Sequence, residues 1–129
     1  LTPHILEMAR LAGESKENVK EHAMEMAKNF VNKYPVTLIL KDARTLVVKE
    51  GELMYVNTSG NSGMATGGSG DVLAGILGGL LAQGMTPVEA ARLAVYLHGL
   101  SGDQAAKEKG ACAMTARDIL EGMIEVTKI

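Results

Sequence analysis

The stretch from Thr58 to Ile76, TSGNSGMATGGSGDVLAGI, carries glycine at positions 60, 63, 67, 68, 70 and 75, and Asp71 is its one charged side chain. Backbone this free does not sit comfortably inside a helix or strand, where each glycine costs up to ~1 kcal/mol against alanine. The apolar helical pattern resuming at about Ser69 and running to Gln83 therefore predicts a loop that opens a helix. Successive amides in such a turn form an anion-binding concavity. The helix start adds about half a positive charge and unsatisfied donors. Gly67, Gly68 and Gly70 are thus placed to wrap an oxyanion or phosphate. Two familiar loops are excluded. There is no Gly-Lys-Ser/Thr end as in a P-loop. Counted from Gly68, the third position of a dinucleotide fingerprint is Leu73 rather than glycine or alanine.

Two roles are open to Asp71. A carboxylate in the first helical turn is a favourable partner for the helix dipole. Beside a phosphate cradle it would repel the ligand unless it does chemistry, as a base taking the proton from a hydroxyl that attacks a phosphoryl group. Gly75, Gly78 and Gly79, inside the same helix, read as close packing against a sheet.

The rest of the chain reads as α/β. HILEMARLAG is a short helix, in which Glu7 and Arg10 are spaced to pair. ESKENVKEHAMEMAKNFVNKY reads as one longer helix capped by Ser15 and stopped by Pro35. PVTLILK is aliphatic without alternation, the pattern of a strand buried on both faces, and a helix feeding it suggests parallel pairing. TLVVKEGELMYVN reads as a hairpin around Glu50-Gly51. TPVEAARLAVYLHGLSGDQAAKEKG starts with Thr86 as cap and Pro87 at the first helical position. MTARDILEGMIEV carries Thr115 and Asp118 at capping-box spacing. His98 and Asp103, in HGLSGD, read as local caps at a helix end.

The 129 residues fit one unit with a core, 47% of them hydrophobic. A net charge of −2 and 3% aromatics, with no Trp, exclude the basic and stacking surfaces of nucleic-acid binders and argue against an anionic membrane partner. No run approaches the ~18 apolar residues of a membrane span. The single Cys112 excludes an internal disulfide, fits a reducing cytoplasm and reads as a small buried residue. A chain opening on Leu1-Thr2-Pro3-His4 reads as a fragment or processed piece.

The run Asn61-Ser62-Gly63-Met64-Ala65-Thr66-Gly67-Gly68-Ser69-Gly70-Asp71-Val72-Leu73-Ala74-Gly75 resembles the signature of the ADP-dependent NAD(P)H-hydrate dehydratases of the ribokinase-like superfamily. The similarity continues through LTPH, VTLILKDARTLV, AVYLHGLSGDQAA and MTARDILEGM. It departs where the family commonly reads LTPHPGE and this chain reads LTPHILE. The resemblance implies a ribokinase-like three-layer α/β/α sandwich, of which residues 1–129 are the C-terminal part of a single domain about twice this size. It implies repair of hydrated NADH and NADPH: the hydrate hydroxyl is phosphorylated from ADP and phosphate is then eliminated.

By the same resemblance Asp71 is the general base and lies on the substrate. Lys41, Asp42, Ala43, Arg44 and Thr45, with Asn61, Gly63, Met64, Ala65, Thr66, Gly67, Gly68, Ser69 and Gly70, contact the nucleotide, ADP or its product AMP. His4 and Glu7 contact the hydrated dinucleotide. From the residues alone, Lys41 is open as a ligand contact or a solvated strand end, and His4 as a substrate contact or an exposed loop residue. Mg²⁺ is expected with the nucleotide phosphates, without a dedicated ligand cluster. A homo-oligomer is implied as well. Two other functions stay open: a ribokinase-like kinase for a vitamin precursor or sugar hydroxyl, and a truncated, non-catalytic nucleotide-binding module.

Overall fold

His4 opens the first helix, α1 (Ile5–Ala12), with a capping box built on an imidazole. Its Nδ1 accepts from the Glu7 amide at 3.2 Å, and Glu7 Oε2 accepts from the His4 amide at 2.8 Å. Gly13 closes the helix in the left-handed region at φ +70°, which a side chain rarely adopts. Ser15 caps α2 (Lys16–Glu21), accepting from the Asn18 amide at 3.1 Å, as the sequence predicts.

The single long helix expected next is two. It breaks at His22, whose φ of −121° leaves the helical well, and α3 (Ala23–Lys33) follows. The cause lies in the core. On a straight helix of 3.6 residues per turn, Val19 and Val31 would point about 120° apart. The break lets both enter one cluster with Ala27, Met8, Leu38 and Leu40.

The structure, a computed structural model, describes residues 1–128, which divide into two compact units, Leu1–Val56 and a second beginning at Asn57. In the first unit the strands β1 (Leu38–Leu40), β2 (Leu46–Val48) and β3 (Tyr55–Val56) lie in the order β1-β2-β3. Every residue of β1 is buried, as the unbroken aliphatic run predicts, and so is every residue of β2. The pairing corrects the expectation of a parallel sheet. β1 runs antiparallel to β2, with Leu38 opposite Val48, and β2 antiparallel to β3, with Leu46 opposite Val56. Residues 41–45 are too few for a crossover and simply reverse the chain. Among the described residues parallel pairing survives only where the first residues run beside β1: Ile39 donates to Leu1 O and Lys41 to Pro3 O, both at 2.8 Å. Gly51, at φ +76°, turns the predicted β2–β3 hairpin.

The second unit holds a 3₁₀ turn (Ser62–Met64), then α4 (Ser69–Ala82), α5 (Pro87–Lys109) and α6 (Ala116–Val126). The predicted starts at Ser69, Pro87 and Ala116 hold, and both Thr86–Glu89 and Thr115–Asp118 form capping boxes. Helix α5 does not end at HGLSGD, however. It runs unbroken past Gly99 and Gly102, which are buried. His98 and Asp103 are therefore mid-helix residues and not caps. Gly122 of α6 is buried against the Ser101 carbonyl of α5.

Gly75, Gly78 and Gly79 of α4 are exposed, and a Cβ on any of them would meet nothing within 4 Å. Among the described residues the expected close packing lies at Gly63, Gly99, Gly102 and Gly122 instead. Cys112 is exposed, in the turn where Ala113 donates to Gly110 O at 3.1 Å, and so is not the buried residue expected. No described helix is long and apolar enough to cross a membrane.

The capping boxes make stability acid-sensitive. The amide of His4 holds the Glu7 carboxyl below its ordinary 4.5. The hydroxyl and then the amide of Thr86 do the same for Glu89, and those of Thr115 hold Asp118 below 3.8. A folded-state pKa below the unfolded one contributes stability above the unfolded value, which is lost as pH falls through the folded one. The urea midpoint is therefore expected to hold at neutral pH and to fall as pH drops below 4.5. Thr115→Ala is expected to cost about 1 kcal/mol at pH 7 and to flatten part of that acid fall, read by circular dichroism.

Candidate functional site

The glycine loop is held by side chains rather than by strand pairing. Asn57, buried, donates to Val95 O and Ser59 O, each at 3.2 Å. Ser59 Oγ lies 3.0 Å from Asn57 Oδ1 and 3.1 Å from Tyr96 O. Asn61 Nδ2 donates to Gly102 O at 2.9 Å and to Asp103 Oδ1 at 3.0 Å, while its Oδ1 accepts from the Gly63 amide at 3.0 Å. Asp103 Oδ2 accepts from the Gly60 amide at 2.9 Å. Met64 lies against Gly60 and Gly102, a seat a side chain on either glycine would fill. At the far end of the loop, His98 Nε2 lies 3.0 Å from Ser69 O; protonated there, it donates to that carbonyl. Its distance to Ser69 Oγ is 3.3 Å.

Between these fastenings the backbone is available. Ser69 donates to Thr66 O, and Asp71 and Val72 both donate to Gly68 O. Among the described residues no group accepts from the amides of Gly67, Gly68 or Gly70. Gly68 stands at φ +87° as the N-cap of α4, and a Cβ on Gly67 would meet open space. Asp71, in the first turn of α4, is exposed, and among the described residues its carboxylate has no hydrogen-bond or ion-pair partner. Asn61 and Asp103 also border an open cleft of about 540 Å³, with Gln104 and Lys107.

The structure thus brings Asn61 to Asp71 together around one helix entrance. Of the expected nucleotide contacts there, Ala65, Gly67 and Gly68 are exposed, Met64 and Thr66 half-buried, and Ser69 buried against His98.

The remaining candidates lie in the first unit. His4 and Lys41 share a parallel bridge, and Glu7 closes the α1 cap on His4. Lys41 is half-buried at the end of β1. Asp42, Ala43 and Arg44 are exposed, and the Thr45 hydroxyl donates to Asp42 O at 3.2 Å. Glu7 takes its hydrogen bond from His4; the ion pair with Arg10 allowed by spacing does not form. Among the described residues no group of three His, Cys, Asp or Glu side chains is arranged to hold a metal.

Sequence reasoning missed Asn57, Ser59, His98 and Asp103 as holders of the loop. The signal was present in HGLSGD: two glycines three apart, beside a histidine and an aspartate, in an otherwise helical run.

The family model described as NAD(P)H-hydrate dehydratase matches residues 1–125. The bifunctional NAD(P)H-hydrate repair enzyme of Moorella thermoacetica is 47% identical over 121 residues, covering 94% of this chain and 23% of that protein. The ADP-dependent (S)-NAD(P)H-hydrate dehydratase of Neisseria meningitidis serogroup B is 42% identical over 113 residues, covering 88% of this chain and 38% of that one. The Bacillus subtilis ADP/ATP-dependent NAD(P)H-hydrate dehydratase, solved after co-crystallisation with ATP and Mg²⁺, superposes with a TM-score of 0.92 at 29% identity, over 98% of this chain and 46% of that one. A ribokinase-like superfamily protein from Enterococcus faecalis superposes at 0.78 with 37% identity, over 96% of this chain and 42% of that one. The chain therefore spans between 23% and 46% of the length of these relatives, has a ribokinase-like α/β fold, and belongs to the NAD(P)H-hydrate dehydratase family.

Proposed function

We propose that this chain is the nucleotide-side part of a single ribokinase-like domain that dehydrates hydrated NADH and NADPH at the expense of ADP. The observation that carries the proposal is the juxtaposition of amides at Gly67, Gly68 and Gly70 with an exposed Asp71 one residue further on, all without partners among the described residues.

In this arrangement the amides and the start of α4 face the terminal phosphoryl group of ADP and stabilise the charge that builds on its oxygens. Asp71 accepts the proton of the hydrate hydroxyl. The freed oxygen forms a bond to phosphorus as the bond to AMP breaks, its electron pair leaving with AMP. Phosphate then departs from the ring carbon while the neighbouring carbon loses a proton, which restores the ring double bond. Asn61, Gly63, Met64, Ala65, Thr66 and Ser69 shape the nucleotide side. Lys41 to Thr45 contribute the strand-end contacts to ADP or AMP, and His4 and Glu7 those to the hydrated dinucleotide.

Mg²⁺ would enter with the nucleotide phosphates and would neutralise their charge; among the described residues no group of three His, Cys, Asp or Glu side chains would hold it alone. A homo-oligomer located in the cytoplasm completes the proposal.

The test is a coupled assay on the full-length protein. Hydrated NADH with ADP and Mg²⁺ is expected to regain dihydronicotinamide absorbance and to release AMP and phosphate in equal amounts. Phosphorylation of a thiazole, pyrimidine or sugar hydroxyl without recovery of NADH would assign a kinase instead. ADP binding without turnover would leave only a nucleotide-binding module.

A further inference from the structure

We propose that Asp103 is a positioning residue for the reaction: it sets the entrance of the glycine loop and thereby the affinity for the nucleoside diphosphate. The inference rests on the functional reading above, and extends it to a residue outside the loop. Segment 57–68 contains one 3₁₀ turn and no strand, and Gly60 stands at φ +101°. Left to itself, such a segment samples many conformations, and a ligand that ordered it would bind correspondingly weakly.

Asp103 removes that freedom from a rigid base, since it projects from the middle of α5. One carboxylate takes two donors, the Gly60 amide at 2.9 Å and Asn61 Nδ2 at 3.0 Å, one on each oxygen. Hydrogen bonds to a carboxylate are stronger than those to a neutral acceptor. Asn61 relays the constraint inward by accepting from the Gly63 amide.

The neighbouring glycines make the approach possible. A Cβ on Gly99 would stand 2.7 Å from the Ser59 carbonyl carbon, and one on Gly102 would overlap Met64. A purely structural aspartate would need none of this aim. Here one acceptor oxygen addresses Gly60, just before the expected nucleotide contacts, and the other addresses Asn61, the first of them in the loop. An Asn at 103 keeps the shape but turns an NH₂ toward a donor, so one of the two bonds is lost.

The experiment compares wild type, Asp103→Asn and Asp103→Glu in the full-length protein. The readouts are calorimetric binding of ADP with Mg²⁺, turnover of hydrated NADH, thermal midpoint, and amide exchange of Gly60 and Gly63 by NMR. Asp103→Asn is expected to weaken ADP binding about tenfold and to raise KM for ADP by the same factor, with kcat reduced less. Gly60 exchange is expected to accelerate at least tenfold while the α5 amides stay protected. Asp103→Glu, which keeps the charge, is expected to recover most of the ADP affinity.

Unchanged ADP affinity in folded Asp103→Asn would overturn the proposal. So would a loss fully accounted for by a smaller folded fraction, with KM unaltered. If Asp103→Asn does not fold, Asp103→Glu and the wild-type Gly60 amide decide: an unprotected Gly60 amide in wild type overturns the anchor. A wild-type protein that binds no ADP refutes the functional reading instead, and leaves the Gly60 exchange as an independent measure of the anchor.

Discussion

Asp71→Asn in the full-length protein is expected to lower turnover of hydrated NADH by about 10³-fold, in the range that general-base residues contribute. ADP affinity should stay within a few-fold of wild type, or improve. The asymmetry follows from the geometry. The carboxylate is exposed at the entrance of α4, and among the described residues nothing pairs with it, so removing its charge leaves no orphaned partner. Removing it also lifts an anion from beside the amides proposed to face phosphate. Single-turnover kinetics and calorimetry on the same preparation separate the two effects. A parallel loss of binding and rate, with a lowered thermal midpoint, would assign Asp71 to the helix dipole and leave the reaction without its base.

The second large effect is on folding. Gly99→Ala is expected to destabilise by about 2 kcal/mol, the cost of forcing atoms into a filled interior. The added methyl would stand 2.7 Å from both the carbonyl carbon and Cβ of Ser59, and Ser59 is itself tied to Asn57 and Tyr96, so little can yield. Gly78→Ala is the control on α4. Its Cβ meets nothing within 4 Å, and the exchange should stabilise the helix by up to ~1 kcal/mol. Urea unfolding of the two variants gives the comparison directly. Equal destabilisation of both would contradict the packing described for α4 and α5.

The contrast between these glycines shows what was legible in the sequence. Local chemistry was readable: Ser15, Thr86-Pro87 and Thr115–Asp118 announced helix starts, Gly51 a hairpin, and Ser69 the entrance of α4, and all of these hold. Properties set by distant partners were not. Gly78 and Gly99 look alike in a sequence, yet only Gly99 has another segment pressed against it. HGLSGD resembles a helix end because glycine and serine weaken helices; the run stays helical because Ser59 and Met64 occupy the space the glycines leave. The break at His22 is likewise invisible in a continuous apolar stripe, since it answers to a shared core containing Met8 and Leu40. In the candidate site the motif drew attention to Asn61 through Asp71, while Val95, Tyr96, Gly102 and Asp103, which anchor its entrance, lie about forty positions later.

That separation bears on how the protein is made. The bonds from Asn57 to Val95, Ser59 to Tyr96, Asn61 to Gly102 and Gly60 to Asp103 span 38, 37, 41 and 43 residues. During synthesis the glycine segment leaves the ribosome long before its clamp does. A nascent chain halted before residue 95 carries the whole signature and none of these four bonds. The full clamp can therefore close only once α5 has emerged through Asp103 and folded back on the segment.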